Sequence, residues 1–196
     1  MSMPFWGQKV KGIQLSVVYV AAVLLALPLA AQSGPDSNWR SILADRLPLF
    51  GHRNWIVIAD SAYPAQASSG IETVVSNAAP FEVLRIVLTA LDRSKHVRPI
   101  VHLDQELQAV DESDASGISA YREQLAAYLG GRIVQREPHG QIIAKLGEVS
   151  QSFRVLIIKT NSTLPYTSVF LELGPAYWSD DAERRLRQSL GEHSPK

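Results

Sequence analysis

The chain has 196 residues, with 19 basic and 19 acidic side chains and no cysteine. This length suits one domain or at most two small ones, and the balanced charge argues against nucleic-acid binding, which requires clustered Lys and Arg. The lack of cysteine excludes disulfides, thiolate metal sites and a cysteine nucleophile. A hydrophobic core or contacts between subunits must therefore stabilise the fold.

Residues 1–31 have the pattern of an export signal. Lys9 and Lys11 precede a mostly apolar stretch that stays uncharged up to Asp36, and a basic start followed by apolar and then small residues is typical of a signal peptide. We expect cleavage near Ala31 and a periplasmic or secreted protein. The stretch is also close to the length that spans a bilayer, so an uncleaved N-terminal membrane anchor and a cytosolic helix stay open as alternatives.

After this segment the pattern predicts a polar linker at 32–38, one folded domain at 39–190 and a tail at 191–196. Apolar runs and helical periodicity alternate within the domain. The predicted elements in chain order are a helix from 39 to 48, strands at 55–59 and 71–75, a helix at 81–91, a strand at 99–103, a helix at 119–129, a strand starting at 133, a helix at 141–149, strands at 155–158 and 169–173, and a helix at 180–190. This alternation indicates an α/β domain with a mostly covered mixed sheet flanked by helices.

Common catalytic motifs are missing from the sequence. It has no glycine-rich phosphate loop, no Gly-x-Ser-x-Gly turn and no His-Glu-x-x-His pair. His102 and Asp104 lie two positions apart on one predicted strand and could share a metal ion, but two ligands without a third make a poor site. A polar strand end that faces solvent is the favoured interpretation of this pair.

Polar residues gather at the ends of two buried strands. Gly51 to Asn54 precede the strand at 55–59 and Asp60 to Pro64 follow it, while Thr160 to Ser168 connect the last two strands. Ligands usually meet an open α/β sheet at strand ends. These clusters are therefore the candidate binding segments.

In order and spacing these clusters resemble the D-ribose pyranase and L-fucose mutarotase family of sugar-anomer isomerases. The similarity covers residues 39–174. The motifs that carry it are Gly51-His52, the apolar strand with Asp60 and Pro64, Thr160-Asn161 after a buried strand, and Tyr166-Thr167-Ser168 before the last strand and Gly174. The resemblance implies a ribose pyranase-like fold.

The resemblance also implies a function and a set of site residues. The reaction is exchange between anomers or between pyranose and furanose forms of a free monosaccharide, with no metal and no cofactor. The implied catalytic residues are His52, Asp60 and Tyr166, and the implied substrate-binding residues are Ser168, Tyr63 and Thr160. The family is known for ring-shaped homo-oligomers with sites near subunit contacts, so we expect a homo-oligomer here.

The chain departs from the family pattern at three places. Ser168 stands where the family has Asn, and Asn161 stands where it has Gly, at a turn that can require a left-handed backbone. The family's His or Tyr upstream of the last two strands is expected at 144–148, and His139 lies several residues earlier. A non-catalytic sugar- or glycan-binding exported protein of the same fold is the alternative that the loss of Asn favours.

The chemistry limits how these residues can act together. Opening a cyclic hemiacetal requires one group that takes the anomeric proton and another that protonates the ring oxygen, and His is suited to such transfers near neutrality. Asp60 follows His52 by eight positions, so the two lie up to about 26 Å apart if the chain is extended. They can share a site only if the chain folds back or if neighbouring subunits bring opposite strand ends together.

Each implied site residue also has a simpler interpretation. His52 suits a solvated turn, Asp60 suits a turn opener whose carboxylate bonds local N–H groups, and the ring of Tyr166 can simply pack. We interpret Tyr177 and Trp178 as core or interface aromatics, although a Trp near a sugar could stack on it.

Overall fold

The computed structural model describes residues 1–2 and 35–191, and for residues 35–37 it describes the backbone alone. The chain divides into two compact units, Met1–Gln32 and Ser33–Lys196. The predicted export segment, apart from its first two residues, lies outside the described residues, as does the predicted tail apart from Gly191. In the part that is described, no helix is both long and apolar enough to cross a membrane.

Helices and strands follow one another largely as the sequence pattern predicts. The first helix begins at Pro35, inside the segment predicted to be a linker. In chain order the elements are α1 Pro35–Arg46, a 3-10 turn at Leu47–Leu49, β1 Trp55–Ala59, β2 Ile71–Val75, α2 Pro80–Arg93, β3 Val97–Asp104, a 3-10 turn at Gln105–Gln108, α3 Ile118–Leu129, β4 Val134–Glu137, α4 His139–Val149, β5 Val155–Lys159, β6 Val169–Pro175 and α5 Asp180–Ser189.

The six strands form one mixed sheet in the order β2-β5-β1-β6-β3-β4. β1 and β2 both run parallel to β5, and β3 runs parallel to β4, whereas β6 is antiparallel to its neighbours β1 and β3. Five strands therefore point the same way. We call the edge where these five strands end and β6 begins the carboxyl edge, and the opposite edge, where they begin and β6 ends, the amino edge.

Helices cover both faces of the sheet. One face packs against α1, α2 and α3 around side chains such as Ile56, Leu84 and Leu125, and the other packs against α4 through Ile142 and Leu146. All five residues of β1 are buried, as expected for an apolar run covered on both sides. Burial of each large aliphatic side chain stabilises the folded state by about 1.5–3 kcal/mol. A mixed sheet with helices on both faces confirms the predicted α/β fold class.

Two glycines show where the backbone itself limits the sequence. A Cβ at Gly70 would lie 1.9 Å from the Ser150 carbonyl oxygen, because the chain that enters β2 passes directly over the end of α4. Gly131 has a φ of 74° and follows the end of α3, where the sequence predicts a helix stop. Asn161, by contrast, is not among the residues with positive φ, so its turn needs no left-handed residue.

Candidate functional site at the carboxyl edge of the sheet

Asp60 and Ser168 meet at the carboxyl edge because β1 ends where its antiparallel neighbour β6 begins. The Ser168 hydroxyl donates to Asp60 Oδ2 at 2.9 Å, and the backbone N–H of Asp60 donates to Ser168 Oγ at 3.2 Å. The other carboxylate oxygen accepts the N–H of Ala62 at 2.9 Å. Asp60 therefore does act as a turn opener, and it is also held against Ser168 across the sheet.

A second polar pair at this edge joins the end of β3 to the start of α4. His139 Nδ1 lies 3.0 Å from Asp104 Oδ2, and the Asp104 side chain is 0% exposed, whereas that of His139 is 38% exposed. When Nδ1 carries the proton donated to Asp104, Nε2 of the same ring is a proton acceptor. The pair therefore presents an oriented imidazole to solvent.

The Asp104 carboxyl group is costly to bury. Its Oδ1 has no hydrogen-bond partner among the described residues. Burial raises the pKa of Asp104, with smaller contributions from the charges of Glu106 and Asp60, while His139 lowers it in part. A buried acceptor without a partner usually costs about 1–3 kcal/mol, and such groups concentrate at functional sites.

Tyr166 packs against this imidazole. The two ring centroids are 5.6 Å apart, with the rings nearly perpendicular at 81°, and Tyr166 stays 39% exposed. Its φ of 55° lies in the left-handed region, which is unusual for a bulky residue and tends to occur at functional sites. The loop before β6 thus holds the partly exposed Tyr166 ring beside His139.

The two polar pairs belong to one electrostatic unit. The charges of Asp104 and Asp60 both add to burial in raising the pKa of Tyr63, and the charge of Asp60 helps to raise that of Asp104. Like charges that interact in a low-dielectric setting favour the protonated form of one of them. The carboxyl edge therefore combines two coupled carboxyl groups with an oriented imidazole and a phenol.

Tyr63 and Thr160, two implied substrate contacts, are buried beneath this edge. The Tyr63 ring lies 6.2 Å from that of Phe170 and its hydroxyl accepts a long bond from Gln66. The Thr160 hydroxyl donates to the Ala59 carbonyl at 2.9 Å. Both hydroxyls are bonded within the chain, so these residues shape the edge from below.

His52 lies at the other end of β1. It is exposed and lines a cleft of about 420 Å³ at the amino edge. β1 pairs with β5 along its whole length, so the chain does not fold back between His52 and Asp60. Within one subunit the structure thus joins Asp60, Ser168 and Tyr166 at one edge and leaves His52 apart from them.

His102 corrects another expectation from the sequence. Both His102 and Asp104 are buried, so the interpretation as a solvent-facing strand end is wrong. His102 Nδ1 lies 2.6 Å from Glu137 Oε1 and its Nε2 lies 3.0 Å from Glu172 Oε2, with the ring 4.8 Å from that of Trp55. In the described part of the chain, no group of three or more His, Asp and Glu side chains is arranged to hold a metal ion.

The hydrogen bonds of His102 on β3 with Glu137 on β4 and Glu172 on β6 form a network that supports the candidate site from within the sheet. Each ring nitrogen of His102 faces a carboxylate oxygen, so the imidazole links Glu137 at the end of β4 to Glu172 on β6. Although burial alone raises the pKa of Glu137, Lys145 and His102 together lower it. Glu137 ends β4 two residues before His139, so the network anchors the strand that delivers the site imidazole.

His139 is the site residue that sequence reasoning missed. The family pattern places a His or Tyr at 144–148, in the middle of α4, whereas the imidazole at the carboxyl edge comes from the first residue of that helix. Pro138 directly before it was the available signal, because Pro marks the boundary of a helix. The backbone N–H of His139 donates to both carboxylate oxygens of Glu106 at 3.0 Å. This contact fixes the position of His139 at the start of α4.

Comparison with known proteins gives structural matches only. No protein-family model and no curated protein matches the sequence. The RbsD protein of Bacillus subtilis, solved in complex with D-ribose, is 19% identical, with a TM-score of 0.47 over 70% of this chain and 92% of that chain. FucU from Bifidobacterium longum is 16% identical, with a TM-score of 0.44 over 68% and 94% of the two chains.

A third similar structure is the fucose mutarotase of Streptococcus pneumoniae in complex with L-fucose. It is 16% identical, with a TM-score of 0.47 over 68% of this chain and 91% of that chain. Likeness at this level assigns neither family membership nor an activity to this chain. The chemistry of the site therefore has to be judged from its own residues.

Proposed function

We propose that the carboxyl edge binds a monosaccharide and exchanges its anomers, or its pyranose and furanose forms, by acid–base catalysis. The observation that carries this proposal is the oriented imidazole of His139, backed by the buried Asp104 and placed beside Tyr166. The Asp60–Ser168 pair lies at the same edge. Asp60, Tyr166 and Ser168 are also positions at which the sequence resembles sugar-anomer isomerases. This resemblance supports the same edge as the geometry of His139 and Asp104 does.

The reaction needs two proton transfers and no change of oxidation state. His139 Nε2 takes the proton of the anomeric hydroxyl while the Tyr166 hydroxyl donates one to the ring oxygen. The bond between the anomeric carbon and the ring oxygen then breaks, which gives the open-chain carbonyl form. Rotation and reclosure through the reverse transfers yield the other anomer, or a different ring size if another hydroxyl attacks, and both side chains recover their original protons.

The two carboxyl groups at this edge have different roles. Asp104 stabilises the imidazolium that forms when His139 accepts the proton, and it keeps the ring in the tautomer that leaves Nε2 free. Asp60, which is only half-buried, has carboxylate oxygens that can accept sugar hydroxyls. The spontaneous reaction is already facile, so acid–base assistance of about 10²–10⁴-fold would account for an efficient enzyme.

One observation favours a non-catalytic sugar-binding protein as the second candidate. Ser168 is buried and its hydroxyl is donated to Asp60. It replaces the Asn of the family pattern with a shorter side chain, and a water molecule would be needed to reach the same sugar hydroxyl. Binding without exchange is the outcome that this candidate predicts.

Magnetization-transfer NMR on the purified domain tests the proposal with ribose, fucose, galactose and glucose. We expect exchange to accelerate for at least one of these sugars. His139→Ala should reduce the enzymatic rate by about 100-fold or more, whereas the matched variant His52→Ala, at the amino edge, should change it less than 2-fold.

Three results would contradict the proposal in different ways. Saturable binding by calorimetry without exchange would select the non-catalytic candidate, and neither binding nor exchange would exclude both. Loss of exchange in His52→Ala, with a monomer by light scattering, would move the chemistry to the amino edge. The same loss in an oligomer would show that neighbouring subunits complete the site.

We propose in addition that the protein is exported and forms a homo-oligomer. The basic and apolar character of residues 1–31 supports export, and N-terminal sequencing of the protein recovered from cells distinguishes a cleaved signal from a retained anchor. A monomer at micromolar concentration in light scattering would contradict the oligomer.

A further inference from the structure

The cleft at the amino edge is a second built cavity, on the opposite side of the sheet from Asp104 and His139. We call it the amino-edge cleft. Its volume of about 420 Å³ is within the range of small-ligand pockets. Its walls come from the turn before β1 and from the chain after β6, with contributions from His52, Arg53, Tyr177, Trp178, Asp180 and Glu183. His52 belongs to a motif that carries the resemblance to sugar-anomer isomerases, whereas Tyr177 and Trp178 follow Gly174 and lie outside the similar part of the chain, so the resemblance assigns no role to these two rings.

Two aromatic rings are exposed in the amino-edge cleft. Tyr177 is 78% exposed and Trp178 is 40% exposed. Of the two interpretations that the sequence left open for them, core or interface aromatics, the first is wrong. The indole N–H of Trp178 donates to Glu183 Oε2 at 2.8 Å, which fixes the ring against the first turn of α5. Fixed and exposed aromatic rings are uncommon on a surface without a partner and mark binding sites.

The polar groups of the cleft have unused hydrogen-bonding capacity. Within the described residues, neither the ring nitrogens of His52 nor the guanidinium of Arg53 nor the Tyr177 hydroxyl has a hydrogen-bond partner. Asp180 Oδ1 accepts a bond from Arg98 at 2.7 Å, and its Oδ2 is without a partner in the same part of the chain. Donors and acceptors therefore surround the aromatic rings, as the hydroxyls of a bound saccharide would require.

The backbone of Arg53 is also constrained at this place. Its φ of 69° is left-handed, and its N–H donates to the Leu173 carbonyl at 2.8 Å. A non-glycine residue in this conformation is retained only where the surrounding structure enforces it. The turn thus holds His52 and Arg53 at the rim of the cleft against the end of β6.

We propose that the amino-edge cleft is a carbohydrate-binding site that takes a neutral saccharide. The C–H faces of a pyranose ring carry partial positive charge and stack on the negative faces of aromatic rings, here those of Tyr177 and Trp178. The sugar hydroxyls bond to His52, Arg53 and Asp180. A neutral ligand is indicated because the charged side chains of the cleft already have partners: Asp180 pairs with Arg98, Glu183 pairs with Arg187, and the Arg53 guanidinium lies 5.8 Å from the centroid of the Phe153 ring.

This binding does not depend on exchange at the carboxyl edge, so the two proposals can fail separately. The cleft would hold a saccharide on the protein, while the carboxyl edge acts on a free sugar. The main rival occupant is a second copy of this chain, because Leu186 on α5 and Leu190 just after it are also exposed. A self-association contact would use the same aromatic rings.

Tryptophan fluorescence of the full chain tests the saccharide. The probes are glucose, galactose, N-acetylglucosamine and their β-linked disaccharides. Trp39 and Trp55 are buried, so a saturable change on titration that disappears in Trp178→Phe reports on the cleft. We expect calorimetry to show at least 10-fold weaker binding in Tyr177→Ala and unchanged binding in Leu190→Ala, the matched variant just after α5 and outside the cleft.

Sugar exchange should persist in Tyr177→Ala, because that residue lies at the opposite edge. Binding at the cleft with no exchange in any variant would support this proposal and contradict the proposed function. No saturable change with any probe at millimolar concentration would overturn the cleft proposal. Equal weakening of saccharide binding in Tyr177→Ala and Leu190→Ala would also overturn it. So would a wild-type oligomer that binds no saccharide and becomes a monomer in Tyr177→Ala.

Discussion

The two edges of the sheet carry polar residues of opposite character. At the carboxyl edge the charged groups are buried or half-buried and bonded to one another, as in Asp104 with His139 and Asp60 with Ser168. At the amino edge His52, Tyr177 and Trp178 are exposed. Burial perturbs protonation and so prepares groups for proton transfer, whereas exposed rings offer contact area to a ligand. The difference separates a candidate chemical site from a candidate binding site.

Both edges contain non-glycine residues in the left-handed region. At the carboxyl edge Tyr166 has a φ of 55° and Asn77, just after β2, has a φ of 53°, and at the amino edge Arg53 has a φ of 69°. Such conformations cost on the order of 1–3 kcal/mol each. Each edge thus accepts a local cost that places a polar side chain at its rim.

The largest effect on stability is expected from His102, which supports the carboxyl edge. His102→Ala removes the imidazole between Glu137 and Glu172, so that Lys145, which bonds Glu137, is the remaining partner of these two partly buried carboxylates among the described residues. We expect the free energy of unfolding to fall by about 3 kcal/mol, measured by urea denaturation. The matched double variant His102→Ala/Glu172→Gln should recover part of this loss, because it removes one of the uncompensated charges. A loss below about 1 kcal/mol would show that the network does not support the edge.

The next effect depends on pH and concerns Asp104. Burial raises the pKa of Asp104, so the folded state holds this proton more tightly than the unfolded chain does. Stability from this group is therefore present in acid and lost as the pH rises from the ordinary range of an aspartate, about 4, through the raised folded value. Asp104→Asn does not titrate. We therefore expect the free energy of unfolding of Asp104→Asn to rise relative to that of the wild type, by on the order of 1 kcal/mol, as the pH increases from about 4 to about 8.

Urea denaturation of both proteins across this range measures the difference. Glu123→Gln, a surface carboxylate on α3, provides the control and should show no such trend. A difference between Asp104→Asn and the wild type that shrinks as the pH rises would contradict the expected sign and would mean that the folded state favours the carboxylate.

The smallest effects compare one residue from each edge. Ser168→Ala removes the hydroxyl that bonds Asp60, and we expect a loss of about 1 kcal/mol in the free energy of unfolding. Tyr177→Ala removes a larger side chain but an exposed one, so its cost should stay within about 0.5 kcal/mol. Thermal unfolding of the two variants ranks them. A greater loss in Tyr177→Ala would show that the amino-edge rings stabilise the fold.

Local patterning predicted most of the fold, and it named three residues that the structure brings together at the candidate site. The continuous apolar run of β1 predicts a strand covered on both faces, and the periodicity of 81–91 predicts a helix, since both depend on neighbouring residues and the spacing of apolar side chains. Asp60, Tyr166 and Ser168 follow from motifs close to strand ends. Their meeting at one edge required the antiparallel placement of β6 beside β1, which local patterns do not specify.

The sequence by itself determined the α/β class and the order of the main elements, because both follow from the spacing of apolar side chains. It set only an upper limit of about 26 Å on the distance between His52 and Asp60, and the pairing of β1 with β5 decided that the chain between them stays extended. The tertiary structure decided which histidine joins the carboxyl edge. His139 meets Asp104 only because β3 and β4 are neighbours and α4 starts beside the end of β3. It also decided that His102 is buried between two glutamates and that Tyr177 and Trp178 are exposed, because burial depends on contacts between distant segments.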